Sequence, residues 1–146
     1  MEEYANLIYN TILKDVVEPL IGNKTTYMND LENLGKKMLG QKFIGVYPSD
    51  KIPTLKNNEY AILNLDKSNE SGSHWTAIAK KNKTHFYDSF GRKDNIIKSL
   101  KNSGNGKIIN TDNDAEQKTK ELNCGARCIS WLLLFDKWGS KYADLI

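Results

Sequence analysis

The pattern of apolar and polar positions divides the chain into helices near its ends and strands in its middle. Apolar residues recur at helical spacing over residues 4–13 and again over residues 28–38, so each stretch predicts an amphipathic helix. Proline has no backbone N–H, so Pro19 should end or bend the first helix. Gly40 should end the second, because glycine is common just past a helix C-terminus.

Between these ends, aromatic and branched side chains cluster in short runs separated by loops that hold glycine, serine and proline. The predicted strands cover residues 43–47, 60–65, 74–80, 84–88 and 107–110, and further helices cover residues 94–101 and 124–138. We therefore expect an α+β fold with a central mixed β-sheet packed by helices. No repeat or linker interrupts the chain, so residues 1–146 are expected to form a single domain.

Composition and charge limit the class of protein. With 146 residues, of which 39% are hydrophobic, the chain is long enough for one buried core. The net charge of +3 comes from 21 basic and 18 acidic residues that are interspersed, so the lysines are expected to form a solvated face. Two cysteines are too few for a disulfide framework, and neither a signal peptide nor a membrane span is visible. We expect an intracellular monomer in a reducing compartment, not secreted and without a membrane partner.

The predicted C-terminal helix opens with a cysteine followed by a glycine. The N-terminus of a helix concentrates positive potential and unpaired N–H groups, which favour sulfur as a thiolate. Cys124 is therefore a candidate nucleophile, and Gly125 would let a substrate come close to the backbone beside it. Asn123, just before the nucleophile, is a second candidate residue of the substrate cleft. An inert buried thiol is the alternative for Cys124, whereas Cys128, one turn later, is expected to pack in the core.

The predicted hairpin supplies a base for that thiol. A turn at residues 81–83 places His74 opposite Asp88 or its neighbour, so the carboxylate lies within reach of the ring. A carboxylate beside a histidine orients the ring and stabilises the imidazolium that forms when the ring takes a proton. His85 falls in the middle of the return strand, has no acid so placed and is the poorer candidate. A plain turn residue remains the alternative for Asp88.

Acyl transfer also needs hydrogen-bond donors aimed at the oxygen that becomes negative in the transition state. Gln117 lies on the approach loop seven residues before Cys124, so its side-chain amide could supply one donor and the Cys124 backbone N–H another. Trp75, next to the candidate base, is expected either to pack beside the histidine or to line the substrate cleft. These residues together predict a nucleophile, a base, an orienting acid and an oxyanion donor.

Four segments in this order resemble the adenain-type viral cysteine proteases, the group that holds the adenovirus protease and the ubiquitin-like-protein-specific proteases. The segments are Gly72-Ser73-His74-Trp75, Phe86-Tyr87-Asp88-Ser89-Phe90-Gly91, Gln117 and Cys124-Gly125-Ala126-Arg127-Cys128. Residues 39–47 are also similar to the adenain pattern, so the resemblance covers about residues 28–138. The seven-residue spacing from Gln117 to Cys124 resembles the adenain branch more than the cellular one.

The resemblance implies a papain-like or adenain-like core with the nucleophile at the N-terminus of a buried helix. It implies that Cys124 is the nucleophile and His74 the base. It also implies that Asp88 is the orienting acid and Gln117 the oxyanion donor. The implied activity is that of an endopeptidase that cleaves viral precursor proteins, such as capsid or core components, after small residues such as glycine. A compact relative from a large DNA virus, a virophage or a related element is implied, acting in the virion, the host cytoplasm or a viral factory.

The sequence constrains the partners and the function of the protein less than it constrains the site residues. The similarity does not extend to the long C-terminal portion of the adenovirus enzymes, so their peptide cofactor is not carried over and no cofactor is expected. DNA stays open as an activator. Three other functions stay open: a deubiquitinase or ubiquitin-like isopeptidase, an effector-type acetyltransferase with the same triad, and a non-catalytic binding module. A zinc site built from His74, His85 and the two cysteines is not expected, because neither pair has the usual ligand spacing.

Overall fold

Six α-helices and five β-strands appear in the computed structural model, which describes residues 1–22, 27–65, 74–89, 96–111 and 123–146. The helices are α1 (Glu2–Thr11), α2 (Glu18–Ile21), α3 (Met28–Leu39), α4 (Ile96–Leu100), α5 (Cys124–Trp138) and α6 (Ser140–Ala143). The strands are β1 (Phe43–Tyr47), β2 (Glu59–Asn64), β3 (Trp75–Lys81), β4 (Lys83–Tyr87) and β5 (Ile108–Asn110). Short π-helical turns cover Ile12–Val17 and Lys101–Asn105, and a 3-10 turn covers Gly40–Lys42.

The described strands form a five-stranded mixed sheet in the order β1-β2-β3-β4-β5. β3 is antiparallel to both β2 and β4, whereas β1 runs parallel to β2 and β5 runs parallel to β4. The expected α+β fold with a central mixed sheet is therefore confirmed. The predicted strand at residues 43–47 and the predicted helix at residues 124–138 match β1 and α5 at both ends.

Alternating residues of the central strands belong to two apolar clusters, one on each face of the sheet. On β3, Ala77 and Ala79 belong to the larger cluster, whereas Ile78 between them belongs to the smaller one. The larger cluster also holds residues of α1, α3 and α5, and the smaller one holds residues of α4. Because alanine side chains are small, α5 can pack closely against β3 on the larger side.

The helix α5 occupies the centre of the larger cluster. Every residue from Cys124 to Phe135 is buried, as expected for a helix surrounded by other elements. It packs against β3, against α3 and against the N-terminal helical segment, residues 2–21. None of the described helices is long and apolar enough to cross a membrane. The burial of α5 therefore serves the core, and it fixes the position of the first residue, Cys124, relative to the sheet.

The N-terminal helical segment runs further than the apolar pattern predicts. The π-helical turn Ile12–Val17 continues α1, and Pro19 lies in the first turn of α2 instead of ending the helix. Pro19 thus follows closely on a turn in which the hydrogen-bond pattern of the helix changes from α to π. Gly22, with a φ of 80°, follows α2. Gly40, with a φ of 65°, follows α3, as predicted.

We expect Gly35→Ala to destabilise the protein. Replacing glycine by alanine inside a helix normally stabilises that helix by about 1 kcal/mol. A Cβ atom at Gly35 would lie 2.5 Å from the ring of Phe43, which is itself buried in the core. Overpacking of this kind costs about 1–3 kcal/mol, so we expect a net loss in the free energy of unfolding, measured by urea denaturation. Asn33→Ala, at an exposed position of the same helix, is the control and should change that free energy by less than about 0.5 kcal/mol. An equal effect of both substitutions would contradict the close packing of α3 on β1.

Candidate active site

The hairpin formed by β3 and β4 brings His74 and Asp88 together. His74 lies one residue before β3 and Asp88 one residue after β4, so both are at the same end of the hairpin. Nε2 of His74 lies 2.6 Å from Oδ1 of Asp88. Both residues are buried, each with 5% of its surface exposed. The contact that the hairpin geometry predicts is present, and it is shielded from water.

The register of the hairpin follows from a very short turn. Lys81 pairs with Lys83, so Asn82 alone forms the tip, with a φ of 68°. Asparagine is among the residues that adopt this left-handed conformation most readily. The turn predicted at residues 81–83 is therefore confirmed, and Ala77 pairs with Tyr87. His74 and Asp88 are therefore diagonal neighbours at the end of the hairpin, not directly opposite each other. Side chains can still make contact across such a diagonal.

Cys124 is the first residue of α5 and lies beside the His74 ring. The cysteine is buried, with 7% of its surface exposed. Burial of the ring lowers the pKa of His74, but hydrogen bonds with Asp88 and Cys124, together with the negative charges of both, raise it by more. The pKa of His74 therefore lies above its ordinary value of 6.5. The site favours a protonated imidazole between two groups that can be negative.

These three side chains can combine proton transfer with nucleophilic attack. Because Nε2 of His74 faces Asp88, Nδ1 is the ring nitrogen that can exchange a proton with the sulfur. The first backbone hydrogen bond of α5 runs from the Arg127 N–H to the Asn123 carbonyl, at 3.0 Å. The N–H groups of residues 124–126 thus have no acceptor within the helix, and their dipoles favour a negative sulfur. A thiol activated by an oriented base is what covalent catalysis by cysteine requires.

The remaining residues of the predicted site divide into described and undescribed ones. Asn123, Gly125 and Trp75 are all buried next to the nucleophile or the base. Trp75 begins β3 and pairs with Asn64 of β2. Their contact with a substrate stays a prediction. Gln117 lies outside the described residues, so its oxyanion role also stays a prediction.

Cys128 differs chemically from Cys124, although it lies only one turn later on α5. Its side chain is fully buried in the larger apolar cluster, as predicted. Burial, followed by the nearby charges of Cys124 and Asp88, raises the pKa of the Cys128 thiol well above its ordinary value. A thiol that stays protonated is a poor nucleophile. The second cysteine is therefore a packing residue.

His85 has a carboxylate partner that the sequence pattern did not reveal. Its Nδ1 lies 2.8 Å from Oδ1 of Asp144, and its ring packs edge-on against Phe135 at 5.2 Å. The expectation that no acid is placed to serve His85 was wrong, because α6 returns the end of the chain to β4. Within the described part of the chain, no three histidine, cysteine or acidic side chains form a cluster that could hold a metal ion. This second pair joins the C-terminus to the sheet.

A buried polar cluster behind the nucleophile was also missed by the sequence reasoning. The Nε of Arg127 donates to Oδ1 of Asn123 at 3.1 Å, and Nη1 donates to the Tyr9 hydroxyl at 3.3 Å. The hydroxyl oxygens of Tyr9 and Tyr87 are 2.6 Å apart, and Nδ2 of Asn123 donates to Oε1 of Glu18 at 3.4 Å. The one available signal was an arginine within the otherwise apolar first half of α5.

Comparison with known proteins adds no family to this geometry: no family model and no curated protein matches the chain.

The raised pKa of His74 predicts that this residue stabilises the fold more at low pH than at high pH. A folded state that binds the proton more tightly gains stability below the unfolded pKa of about 6.5 and loses it as pH rises through the folded value. The free energy of unfolding of the wild type, minus that of His74→Gln, should therefore be larger at about pH 5.5 than at about pH 8.5. Urea denaturation measures both, and His85→Gln serves as the control for the other histidine. A difference that grows with pH would show that the pKa of His74 is lowered instead.

Proposed function

We propose that the protein is a cysteine endopeptidase. The observation that supports this most strongly is the buried contact between His74 and Asp88 beside Cys124, at the start of a buried helix. Burying a histidine and a carboxylate is costly unless they are paired, and here the pair adjoins a thiol at a helix N-terminus. The thiol comes from α5, whereas the imidazole and the carboxylate come from the two ends of one hairpin. The meeting of the thiol with this pair favours an active site over separate structural roles.

The proposed reaction proceeds through a thioester. His74 takes the proton from the Cys124 sulfur through Nδ1, and Asp88 holds the resulting imidazolium in place. The thiolate attacks the carbonyl carbon of the scissile peptide, forming a carbon–sulfur bond and moving an electron pair onto the oxygen. The Cys124 backbone N–H and the Gln117 side chain donate hydrogen bonds to that oxyanion. Collapse of the tetrahedral intermediate breaks the carbon–nitrogen bond, and His74 protonates the leaving amine. Water, deprotonated by His74, then hydrolyses the thioester and restores the thiol.

The substrate class follows from the resemblance to adenain-type proteases. We propose that the substrates are viral precursor proteins, such as capsid or core components, cut after small residues such as glycine. The deep burial of Cys124 agrees with a narrow approach that would exclude bulky side chains near the cut. Action in the virion or the infected cell, and DNA as an activator, belong to the same proposal.

We expect iodoacetamide to alkylate Cys124 rapidly at about pH 6, and His74→Ala to slow that reaction on the order of a hundredfold. An ordinary thiol with a pKa of about 8.5 is ionised to roughly one part in 300 at that pH, so rapid labelling requires an activated sulfur. Mass spectrometry of the labelled peptides across about pH 5–9 measures the rate at each cysteine.

Cys128→Ala is the matched control for this experiment and should leave the labelling of Cys124 unchanged, because Cys128 is buried and protonated. A parallel series contains double-stranded DNA, in case the thiolate forms only when DNA is bound as an activator. If both cysteines label slowly in both series, with rates that rise only near pH 8.5, the site holds no activated thiolate and the proposal fails.

We further expect the wild type, but not Cys124→Ala, to cleave short peptides, with glycine before the cut preferred over leucine by about tenfold or more. A restricted pocket discriminates between side chains by about 1–3 kcal/mol, which sets that range. The measurement is mass-spectrometric analysis of a peptide mixture. Cleavage of a folded ubiquitin-like protein in preference to any peptide would instead indicate an isopeptidase. Consumption of acetyl-CoA without cleavage would indicate an acetyltransferase.

A further inference from the structure

A buried arginine lies on the first turn of α5, next to the candidate nucleophile. Arg127 has 7% of its surface exposed, on a helix whose next eight residues are all buried. Burying a cation is costly, and a positive side chain near a helix N-terminus opposes the helix dipole. The guanidinium is therefore expected to have a role in the site beside it.

One consequence of Arg127 is visible at the residue before the nucleophile. Asparagine at the N-cap position normally accepts a hydrogen bond from the second or third N–H group of the helix. Asn123 occupies that position in α5, yet its side chain makes no capping hydrogen bond. Its Oδ1 instead accepts from Arg127 Nε at 3.1 Å, and its Nδ2 donates to Glu18 at 3.4 Å. Held at both ends of its amide, Asn123 is kept away from the N–H groups of Gly125 and Ala126.

Arg127 also connects α5 to the strand that carries the orienting acid. Its Nη1 donates to the Tyr9 hydroxyl at 3.3 Å, and that hydroxyl lies 2.6 Å from the hydroxyl of Tyr87. Tyr87 immediately precedes Asp88 and stacks on Trp131 of α5, with ring centroids 5.4 Å apart. Tyr9 and Tyr87 are both fully buried. The cluster therefore connects α5 to β4, which pairs with the strand that follows His74.

We propose that Arg127 is a positioning residue that holds the Asn123 side chain off the start of α5 and, through Tyr9, ties that helix to Tyr87. The first-turn N–H groups are then kept for the thiolate and for the oxyanion that follows. Tyr9 and Glu18 come from the N-terminal helical segment, so that segment is part of the active-site support. This inference rests on the proposed function, because it concerns the activation of the same thiol.

Arg127→Leu should slow the alkylation of Cys124 at about pH 6 by about tenfold, a loss typical of a displaced reacting group. The thermal midpoint should change by less than about 5 °C. The variant loses the hydrogen bonds of Arg127, but it no longer buries a charge, and the released Asn123 side chain can cap α5. In that background, Asn123→Ala removes the new cap and should recover part of the rate. A purely structural role for Arg127 would give no such recovery, and an absence of recovery overturns the proposal.

Tyr9→Phe tests the second connection, with Tyr60→Phe as the matched control. Tyr60 is also a buried tyrosine, but its hydroxyl bonds to Asp136, outside the cluster, at 2.9 Å. Tyr9→Phe removes the hydroxyl that bonds to both Arg127 and Tyr87, so it should slow the alkylation at about pH 6 by about threefold or more, and Tyr60→Phe should not. Equal rates in the two variants overturn the connection through Tyr9.

An NMR titration of His74 separates failure of this inference from failure of the proposed function. Contact with Cys124 contributes to the raised pKa of His74, whether or not the protein cleaves peptides. Arg127→Leu should therefore lower the measured pKa of His74. A lowered pKa in a protein that cleaves nothing would support the positioning role and reject the protease. An unchanged pKa would reject the positioning role alone.

Discussion

The packing of α5 against β3 holds the two halves of the candidate site together. His74 and Asp88 are joined by the hairpin itself, so their contact needs only the short turn at Asn82. Cys124 belongs to a separate element and reaches them only because α5 lies across the small side chains of β3. A shift of this helix would separate the sulfur from the base without disturbing the hairpin. The placement of α5 is therefore the constraint on which the chemistry depends.

Burial has different outcomes at Cys128 and at His74. At Cys128 it keeps the thiol protonated, because no compensating positive group outweighs the loss of solvent. At His74 the hydrogen bonds and charges of Asp88 and Cys124 outweigh the effect of burial, so the ring favours its protonated form. One helix thus carries a packing cysteine and a candidate nucleophile a single turn apart. The position of Cys124 beside His74 is what distinguishes the two cysteines.

The polar contacts behind α5 extend the site into parts of the chain far from the hairpin. Asn123, Arg127 and Tyr9 connect the nucleophile helix to the N-terminal segment, and Tyr87 connects them to the strand that ends at Asp88. Their hydrogen bonds lie among apolar side chains, where an unmade bond is costly. Such a cluster has few alternative arrangements. It can therefore hold the Cys124 sulfur within reach of His74. In the middle of β4, the contact of His85 with Asp144 ties the C-terminal residues to the same sheet.

Local features of the sequence determined the strands, most of the helices, the hairpin and the meeting of His74 with Asp88, which are only 14 residues apart. Apolar periodicity and a cysteine before a glycine were also enough to predict α5 from its first residue to its last. Tertiary structure alone decided that Arg127 bonds to Tyr9, 118 residues away, and that His85 bonds to Asp144, 59 residues away. Periodicity shows which face of an element is apolar, but it does not show which distant polar group will lie against it. That choice depends on how α5, α1 and α6 pack on the sheet, because only packing brings such groups within hydrogen-bond distance.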